Sequence, residues 1–307
     1  MEGVFGFCVK RSRNVGVLHM RIGAVFPQIE AGTDIAAITE YINNVESLGF
    51  DHILAFDHVL GANAASREDW PWPYQHTDSF YEPITFYSYV AGITNNLELA
   101  TGVVILPQRQ TALFAKQTAT LDLLAQGRLR LGIGTGWNEV EYEALGENFH
   151  NRGKRSEEQI DLMRKLWSQE LVTYQGKYHK VTDAGLNPLP PRRSIPIWIG
   201  GVADPVLRRT AKLGDGWLAL SQKPAANVKY FDRLSRYLDE NGRAMSDIGI
   251  EGRVSLNMSN AEIKTDLSSW GQMGTTHISG NTMNCGLKFP EEHINALKNF
   301  IGIAKDL

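Results

Sequence analysis

Short apolar runs alternate along the chain with longer segments of helical periodicity, and this alternation restricts the fold more than any other feature. The first strand-length run is Arg21–Phe26, and apolar residues then recur at helical spacing through Asp34–Leu48. The same pair of signals recurs until eight strands have been placed along the 307 residues. Eight such units in a row favour a closed (β/α)8 TIM barrel of the α/β class. An open, doubly wound sheet is the alternative.

The apolar pattern sets the bounds of each predicted element. The predicted strands are Arg21–Phe26, His52–Phe56, Leu97–Val104, Arg128–Ile133, Ile195–Ile199, Gly216–Leu220, Ile248–Leu256 and Thr276–Ser279. The predicted helices are Asp34–Leu48, Pro83–Thr94, Ala112–Leu124, Asn138–Leu145, Ser156–Trp167, Val206–Leu213, Ala226–Asn241, Ala261–Trp270 and Glu291–Ala304. Two segments fall outside the repeat, the loop Leu60–Tyr81 and the segment Leu171–Pro191, which contains a small hairpin around Gly176. Long loops of this kind commonly serve as lids or binding loops, so we expect insertions at the C-terminal face of the barrel.

The start of the chain and its composition bound the class of protein. Residues 1–19 place an apolar patch ahead of a basic cluster, the reverse of a secretory signal. We interpret residues 1–19 as a disordered N-terminal extension or a mis-assigned start, and residues 20–307 as one cytoplasmic barrel domain. The net charge of −3, without a long run of one sign, argues against nucleic acid or an anionic membrane as partner. Cys8 and Cys285 stand alone, so we expect neither a disulfide framework nor a zinc site.

In a parallel barrel, the residues that act on a ligand follow the strands at the C-terminal face. Asp57 and His58 follow the second strand, and a histidine there can exchange a proton with a ligand near neutral pH. The alternative is that Asp57 caps the loop and His58 is a structural hydrogen-bonding residue. Gly102, within the β-branched end of the third strand, indicates a bulge or a close approach by another group, with a packing glycine as the alternative.

Glycine-rich turns follow the fourth and fifth strands. The turn Gly134–Trp137 enters a helix and exposes backbone N–H groups that suit an anion or a flat ring, although its spacing matches the dinucleotide fingerprint only loosely. Gly200 and Gly201 precede a helix for which we predict Asp204 as the N-cap. Their free amides predict a phosphate site, with a purely structural turn as the alternative.

Four segments of the chain resemble the luciferase-like monooxygenase superfamily. They are LGFDHILAFDHV, LATGVVILPQRQTALFAKQTATLDLLAQGRLRLGIGTGWNEVEYEALG, NRGKRSEEQIDLMRKLW and IPIWIGGVADPVLRRTAKLGDGWLAL. The resemblance covers nearly the whole chain from Met20, and its ATLD-x-L-x-x-GR-x-x-LG-x-G-x-G-W run is long and specific. The GTGW turn, the LPQR segment and the terminal HISGNTMNCGL look most like the branch that uses coenzyme F420, a deazaflavin.

This resemblance implies a cofactor site. It places the deazaflavin ring on Gly102 and Val103, with Gly102–Val103 as the candidate for a non-proline cis peptide, and directs the phosphate end towards the turns after the fourth and fifth strands. The residues implied for cofactor binding are Gly102, Val103, Gly134, Thr135, Gly136, Trp137, Gly200, Gly201 and Val202. Aromatic residues of the loop Leu60–Tyr81 would then form a lid over an apolar substrate, and Trp70, Trp72 and Tyr74 are the candidates. We expect some aromatic residues of this loop only to pack it against the barrel.

The resemblance also implies catalytic residues. His58 matches a histidine that serves as acid/base or orients the ring in deazaflavin-dependent relatives, and Asp57 precedes it as in several of them. Trp137 stands where some deazaflavin dehydrogenases have a catalytic glutamate, so their sugar-phosphate chemistry is not carried over. We expect Glu139 and Glu141, on the helix that follows, to face solvent or to pair with arginines.

The function this implies is an oxidoreductase that transfers a hydride between reduced coenzyme F420 and a small organic substrate, without a metal. The alternative is a monooxygenase that uses FMNH2, supplied by a separate flavin reductase, together with O2. A third hypothesis is a non-catalytic barrel that only binds a ligand. The presence of His58, the glycine turns and the lid argues against it. The resemblance further implies a homodimer.

Overall fold

The computed structural model describes residues 20–307, so the predicted extension at residues 1–19 lies outside the described residues. The strands are β1 (Arg21–Val25), β2 (His52–Ala55), β3 (Glu98–Thr101), β4 (Val104–Ile105), β5 (Leu129–Gly134), β6 (Val172–Gln175), β7 (Lys180–Ala184), β8 (Ile197–Gly200), β9 (Gly216–Leu218), β10 (Gly249–Ser255) and β11 (His277–Asn281). The α-helices are α1 (Ile35–Ser47), α2 (Pro83–Ile93), α3 (Thr111–Leu124), α4 (Glu139–Ala144), α5 (Arg152–Ser168), α6 (Asp204–Leu213), α7 (Pro224–Glu240), α8 (Asn260–Gln272) and α9 (Glu291–Lys305).

Parallel pairing closes the sheet into a barrel. The strand order is β3-β2-β1-β11-β10-β9-β8-β5-β4, and β3 also pairs with β5, which completes the ring. Since β3 and β4 both pair with β5 and together occupy one position, the ring has eight strand positions. The predicted (β/α)8 barrel is therefore confirmed. The predicted hairpin around Gly176 is also present, as the antiparallel pair β6 and β7.

The third predicted strand, Leu97–Val104, is divided in the structure. β3 ends at Thr101, β4 begins at Val104, and the peptide bond between Gly102 and Val103 is cis. The prediction of one continuous strand is wrong, whereas the irregularity expected at Gly102 and the candidate cis bond are both present. A Cβ on Gly102 would lie 2.3 Å from Cδ2 of Leu54, so the neighbouring strand leaves no room for a side chain there.

Apolar side chains fill the space between the strands and the helices, while the barrel interior holds a layer of charged groups. Arg130 on β5 pairs with Glu98 and Glu251, each at 2.5 Å, and Nε2 of His52 lies 3.0 Å from Glu251. Burial alone would raise the pKa of Glu251, but Arg130 and His52 hold that pKa well below its usual range. Because Glu251 also lines the cavity at the mouth of the barrel, this ionic layer forms part of its floor.

Within residues 20–307, no helix has both the length and the apolar character needed to cross a membrane.

Replacing Arg130 with methionine should destabilise the fold strongly. The substitution leaves the buried Glu251 carboxylate without its arginine and Glu98 with Arg21 alone, and breaking a buried ion pair in this way typically costs about 3–5 kcal/mol. Urea denaturation followed by circular dichroism measures the change. The matched control is Arg236→Met, which removes a half-exposed pair with Glu240 at 3.9 Å and should cost under about 1 kcal/mol. Equal losses in the two variants would contradict a structural role for the ionic layer.

Candidate active site at the C-terminal mouth of the barrel

A cavity of about 580 Å³ opens where the carboxyl ends of the strands meet. This volume lies in the range of sites for small molecules and cofactors. Among the residues predicted from the sequence, those that line it are Asp57, His58, Trp72, Tyr74, Gly102, Val103, Gly134, Thr135, Gly136, Trp137, Gly200, Gly201 and Val202. The predicted residue that does not line it is Trp70. The barrel thus brings together residues that lie up to 145 positions apart (57 to 202) in the chain.

Val103 forms one wall of the cavity, and two glycines make room for its side chain. A Cβ on Gly134 would lie 2.6 Å from Cγ2 of Val103, and a Cβ on Gly200 would lie 2.7 Å from Cγ1. Contacts this short do not occur between real side chains, so any other residue at either position would displace Val103. The glycines at the ends of β5 and β8 therefore have a packing role, whatever ligand their backbones contact.

The turns after β5 and β8 expose backbone donors. Gly136 has φ +63° and Gly201 has φ +124°, conformations that other residues rarely adopt. Among the described residues, no backbone or side-chain group accepts a hydrogen bond from the N–H groups of Gly136, Gly201 and Val202. Three free donors at the edge of one cavity can bind an anion, as the sequence predicts.

The predicted N-cap of α6 is wrong. Ala203 is the N-cap residue, and Asp204 is the first residue within the helix. The carboxylate of Asp204 instead accepts hydrogen bonds from Arg208, at 3.1 Å, and from the hydroxyl of Tyr237 on α7. Because these partners satisfy the carboxylate, Asp204 does not cover the free amides at the start of the helix.

His58 is held by a buried carboxylate. Nδ1 of His58 lies 3.1 Å from Oε1 of Glu141, whose side chain is 1% exposed. The same oxygen accepts the backbone N–H groups of Val59, at 3.0 Å, and Leu60, at 3.4 Å. Oε2 of Glu141 accepts from Nε2 of Gln108 at 3.0 Å. The carboxylate thus ties the loop after β2 to the segment after β4 and fixes the plane of the imidazole.

The expectation that Glu141 faces solvent or pairs with an arginine is therefore wrong. Glu139 does face solvent, as expected, with its side chain 65% exposed. Residues two apart on an α-helix lie on nearly opposite faces, so only one of the two glutamates can reach the barrel. An acceptor at Nδ1 places the proton on that nitrogen and leaves Nε2 as the ring nitrogen that can exchange a proton with a ligand.

Asp57 pairs with an arginine. Nη2 of Arg109 lies 2.9 Å from both carboxylate oxygens of Asp57, and the N–H of Ile105 donates to Oδ2 at 3.0 Å. Nη1 of Arg109 also pairs with Glu82 at 2.9 Å. With both oxygens engaged, Asp57 is suited to holding the end of β2 against β4 rather than to transferring a proton.

Aromatic side chains fasten the loop Leu60–Tyr81 over the mouth. Trp72 stacks on Trp137 with ring centroids 4.7 Å apart and an interplanar angle of 22°. Tyr74 packs against His58 with ring centroids 5.3 Å apart. Trp70 meets Trp137 edge-on at 6.1 Å, and its Nε1 donates to the backbone oxygen of Tyr74 at 3.3 Å. Trp72 and Tyr74 thus border the cavity, whereas Trp70 does not line it and packs within the loop.

Three charged residues of the cavity were not predicted from the sequence, namely Glu141, Glu251 and Arg253. Arg253 on β10 lines it, two residues after Glu251. Alternate residues of a strand point to the same side, so charged side chains two apart in an otherwise apolar strand were the available signal that both face inward.

A family model described as luciferase-like monooxygenase matches residues 17–297. The chain belongs to the luciferase-like monooxygenase family. This confirms the predicted family and, with it, the prediction of an oxidoreductase-type enzyme.

Similar proteins carry more specific names. An F420-dependent glucose-6-phosphate dehydrogenase of Segniliparus rotundus is 30% identical to this luciferase-like protein over 193 residues, which cover 61% of this chain and 54% of that protein. A solved F420-dependent secondary alcohol dehydrogenase in complex with an F420-acetone adduct superposes with a TM-score of 0.75 at 16% identity, covering 93% of this chain and 99% of that chain. The monooxygenase RslO1 of Streptomyces bottropensis superposes with a TM-score of 0.74 at 17% identity, covering 94% and 99%. At these identities, the two solved structures show a common fold.

Removing the Glu141 carboxylate should change the tautomer of His58. In the wild type at pH 8, we expect the ¹⁵N shifts of His58 to report a proton on Nδ1, because Glu141 accepts there. In Glu141→Ala, that proton should shift towards Nε2, whereas Glu141→Gln keeps an acceptor oxygen and should largely retain the Nδ1–H form. The control is Glu139→Ala, on the exposed face of the same helix. An unchanged tautomer in Glu141→Ala would show that Glu141 does not orient the imidazole.

Proposed function

We propose that this luciferase-like protein transfers a hydride between coenzyme F420 and a small organic substrate that carries a carbonyl or carbinol group. The observation that carries the proposal is His58, an imidazole oriented by a buried carboxylate and lining a cavity of cofactor size. The F420-dependent names of similar proteins support the choice of cofactor. In this proposal, residues 20–307 act as one catalytic domain.

The residues of the cavity fit a flat ring with an anionic tail. Val103 offers an apolar surface for the ring, and the free N–H groups of Gly136, Gly201 and Val202 suit a phosphate. Thr135, within the glycine turn after β5, also lines the cavity. When bound, reduced F420 supplies a hydride to the substrate.

His58 handles the proton that accompanies the hydride. Reduction of a carbonyl places negative charge on its oxygen, and a donor within hydrogen-bond reach neutralises that charge. Nε2 is the nitrogen not engaged by Glu141, so it is the atom that gives the proton in this direction and accepts it in the reverse direction. The Glu141 carboxylate, 3.1 Å from Nδ1, engages that nitrogen and so confines proton exchange with the substrate to Nε2.

The aromatic loop excludes water from the reacting groups. Trp72, stacked on Trp137, and Tyr74, packed on His58, cover the cavity from one side. A drier cavity strengthens the interaction between the Glu141 carboxylate and the imidazole and protects a reduced ring from side reactions.

Cofactor choice is tested by titrating the purified protein separately with reduced F420 and with FMNH2 while following tryptophan fluorescence. We expect reduced F420 to quench the fluorescence in a saturable manner, because Trp72 and Trp137 border the cavity. Saturable binding of FMNH2 without binding of F420, followed by O2 consumption with a flavin reductase, would instead support the monooxygenase alternative. The solved monooxygenase RslO1 has the same fold, and this is the reason for testing the monooxygenase alternative.

The role of His58 is tested by His58→Ala. Oxidation of reduced F420 with a panel of ketones and keto acids should slow by about 10²–10⁴-fold, the usual contribution of general acid catalysis, while the affinity for F420 changes by less than about threefold. His150→Ala is the control, since its side chain is 85% exposed and remains outside the cavity. If His58→Ala retained full turnover with F420 still bound, the proton would come from another group.

A further inference from the structure

Arg253 stands opposite the Val103 wall of the cavity. In the ring of eight strand positions, β10 is four positions from the one shared by β3 and β4, so the two face each other across the barrel. Both Val103 and Arg253 line the cavity. A ligand placed against Val103 therefore leaves the remaining space bounded on its far side by a guanidinium group.

The guanidinium of Arg253 is only partly satisfied by the protein. Its Nη2 donates to the backbone oxygens of Leu220, at 2.6 Å, and Ala219, at 3.4 Å. Among the described residues, Nη1 and Nε donate no hydrogen bond, and no carboxylate lies within 4 Å of the group. Glu251, two residues earlier on the same strand, is already engaged by Arg130, His52 and Ser279.

Three other arginines of the barrel pair with carboxylates, whereas Arg128 and Arg243, outside the cavity, donate to backbone oxygens from two or more guanidinium nitrogens. Arg109 pairs with Asp57 and Arg130 pairs with Glu251, each within 2.9 Å. Arg209 pairs with Glu157 at 3.3 Å. Burial costs Arg253 hydration energy that its backbone hydrogen bonds and the charge of Glu251 offset only in part, and desolvation accordingly lowers its pKa. A ligand anion at Nη1 and Nε would supply the negative charge and the acceptors that these nitrogens lack.

The surroundings of Arg253 indicate what that ligand looks like. The guanidinium carbon lies 5.5 Å from the ring centroid of Phe56, and Tyr74, Leu218 and Leu220 line the same cavity. Apolar and aromatic walls favour an apolar body, while guanidinium N–H groups favour a carboxylate, which matches their planar geometry.

We propose that Arg253 binds a carboxylate of the substrate, so that the enzyme acts on apolar or aromatic keto acids, or on the corresponding hydroxy acids, rather than on neutral ketones. This inference rests on the proposed function in one respect. It takes the molecule bound on the Arg253 side of the cavity to be the substrate. The carboxylate on Arg253 holds one end of the molecule, and its carbonyl is then presented between the Val103 wall and His58.

The experiment measures binding without turnover. The probes are 4-acetylbenzoate and 4-acetylbenzamide, which have the same shape and the same ketone group and differ in charge. Each probe is titrated by calorimetry into the protein loaded with oxidised F420 and into the protein alone. We expect the wild type to bind the carboxylate at least tenfold more tightly than the amide. Arg253→Met should abolish that preference while leaving the affinity for the amide within about threefold, and Arg253→Lys should retain part of it.

Arg236→Met removes an equivalent charge from the exposed surface and should keep the full preference. A thermal melt of each variant checks the fold, and because Arg253 has no ion-pair partner to strand, Arg253→Met should melt close to the wild type. Equal binding of the two probes by the wild type, or a preference that survives Arg253→Met, would overturn the proposal. A selective loss of F420 affinity in Arg253→Met would assign the arginine to the cofactor and would also overturn it. Because the preference can be read in the protein alone, a failure to bind F420 would count against the proposed function and not against this inference.

Discussion

The mouth of this barrel depends on one buried carboxylate. Glu141 gathers the imidazole of His58, two backbone amides of the loop after β2 and the side-chain amide of Gln108 after β4 around two oxygens. A buried carboxylate needs several donors, so each contact also constrains the others. A second carboxylate, Asp57, acts alongside it by holding Arg109 and the end of β4 at Ile105. Together, Glu141 and Asp57 hold the segments after β2 and β4 in place and so fix the position of Nε2 of His58.

Closure of the barrel then determines which residues lie opposite one another across the cavity. Because the ring has eight positions, the strand interrupted at Gly102–Val103 lies opposite the strand that carries Arg253. One side of the cavity is therefore apolar and flat, with free amides at its edge, and the other side is cationic with apolar neighbours. This division separates a place suited to a ring with a phosphate tail from a place suited to a smaller molecule. His58 lines the same cavity and can act on what lies between them.

Much of the fold was predictable from the sequence because strand and helix periodicities are local properties. All eight strands appear near their predicted positions, and only the third is divided. The sequence also indicated the glycines of the turns as site residues, but it did not indicate why glycine is required there. Gly134 and Gly200 admit the side chain of Val103, a residue far from both in the chain. Likewise, the sequence cannot show that Glu141 rather than Glu139 faces the barrel, since both lie in the first turn of α4 and differ only in helical phase.

The sequence by itself determined the barrel, the family and the set of strand ends at which chemistry takes place. These follow from repeating local patterns and from a long, specific run of residues. Tertiary structure decided how the charged groups are paired: Glu141 with His58, Asp57 with Arg109, Glu251 with Arg130, and no carboxylate with Arg253 among the described residues. The physical reason is that an ion pair depends on distances of a few ångströms between residues brought together only when the barrel closes. No periodicity along the chain encodes those distances.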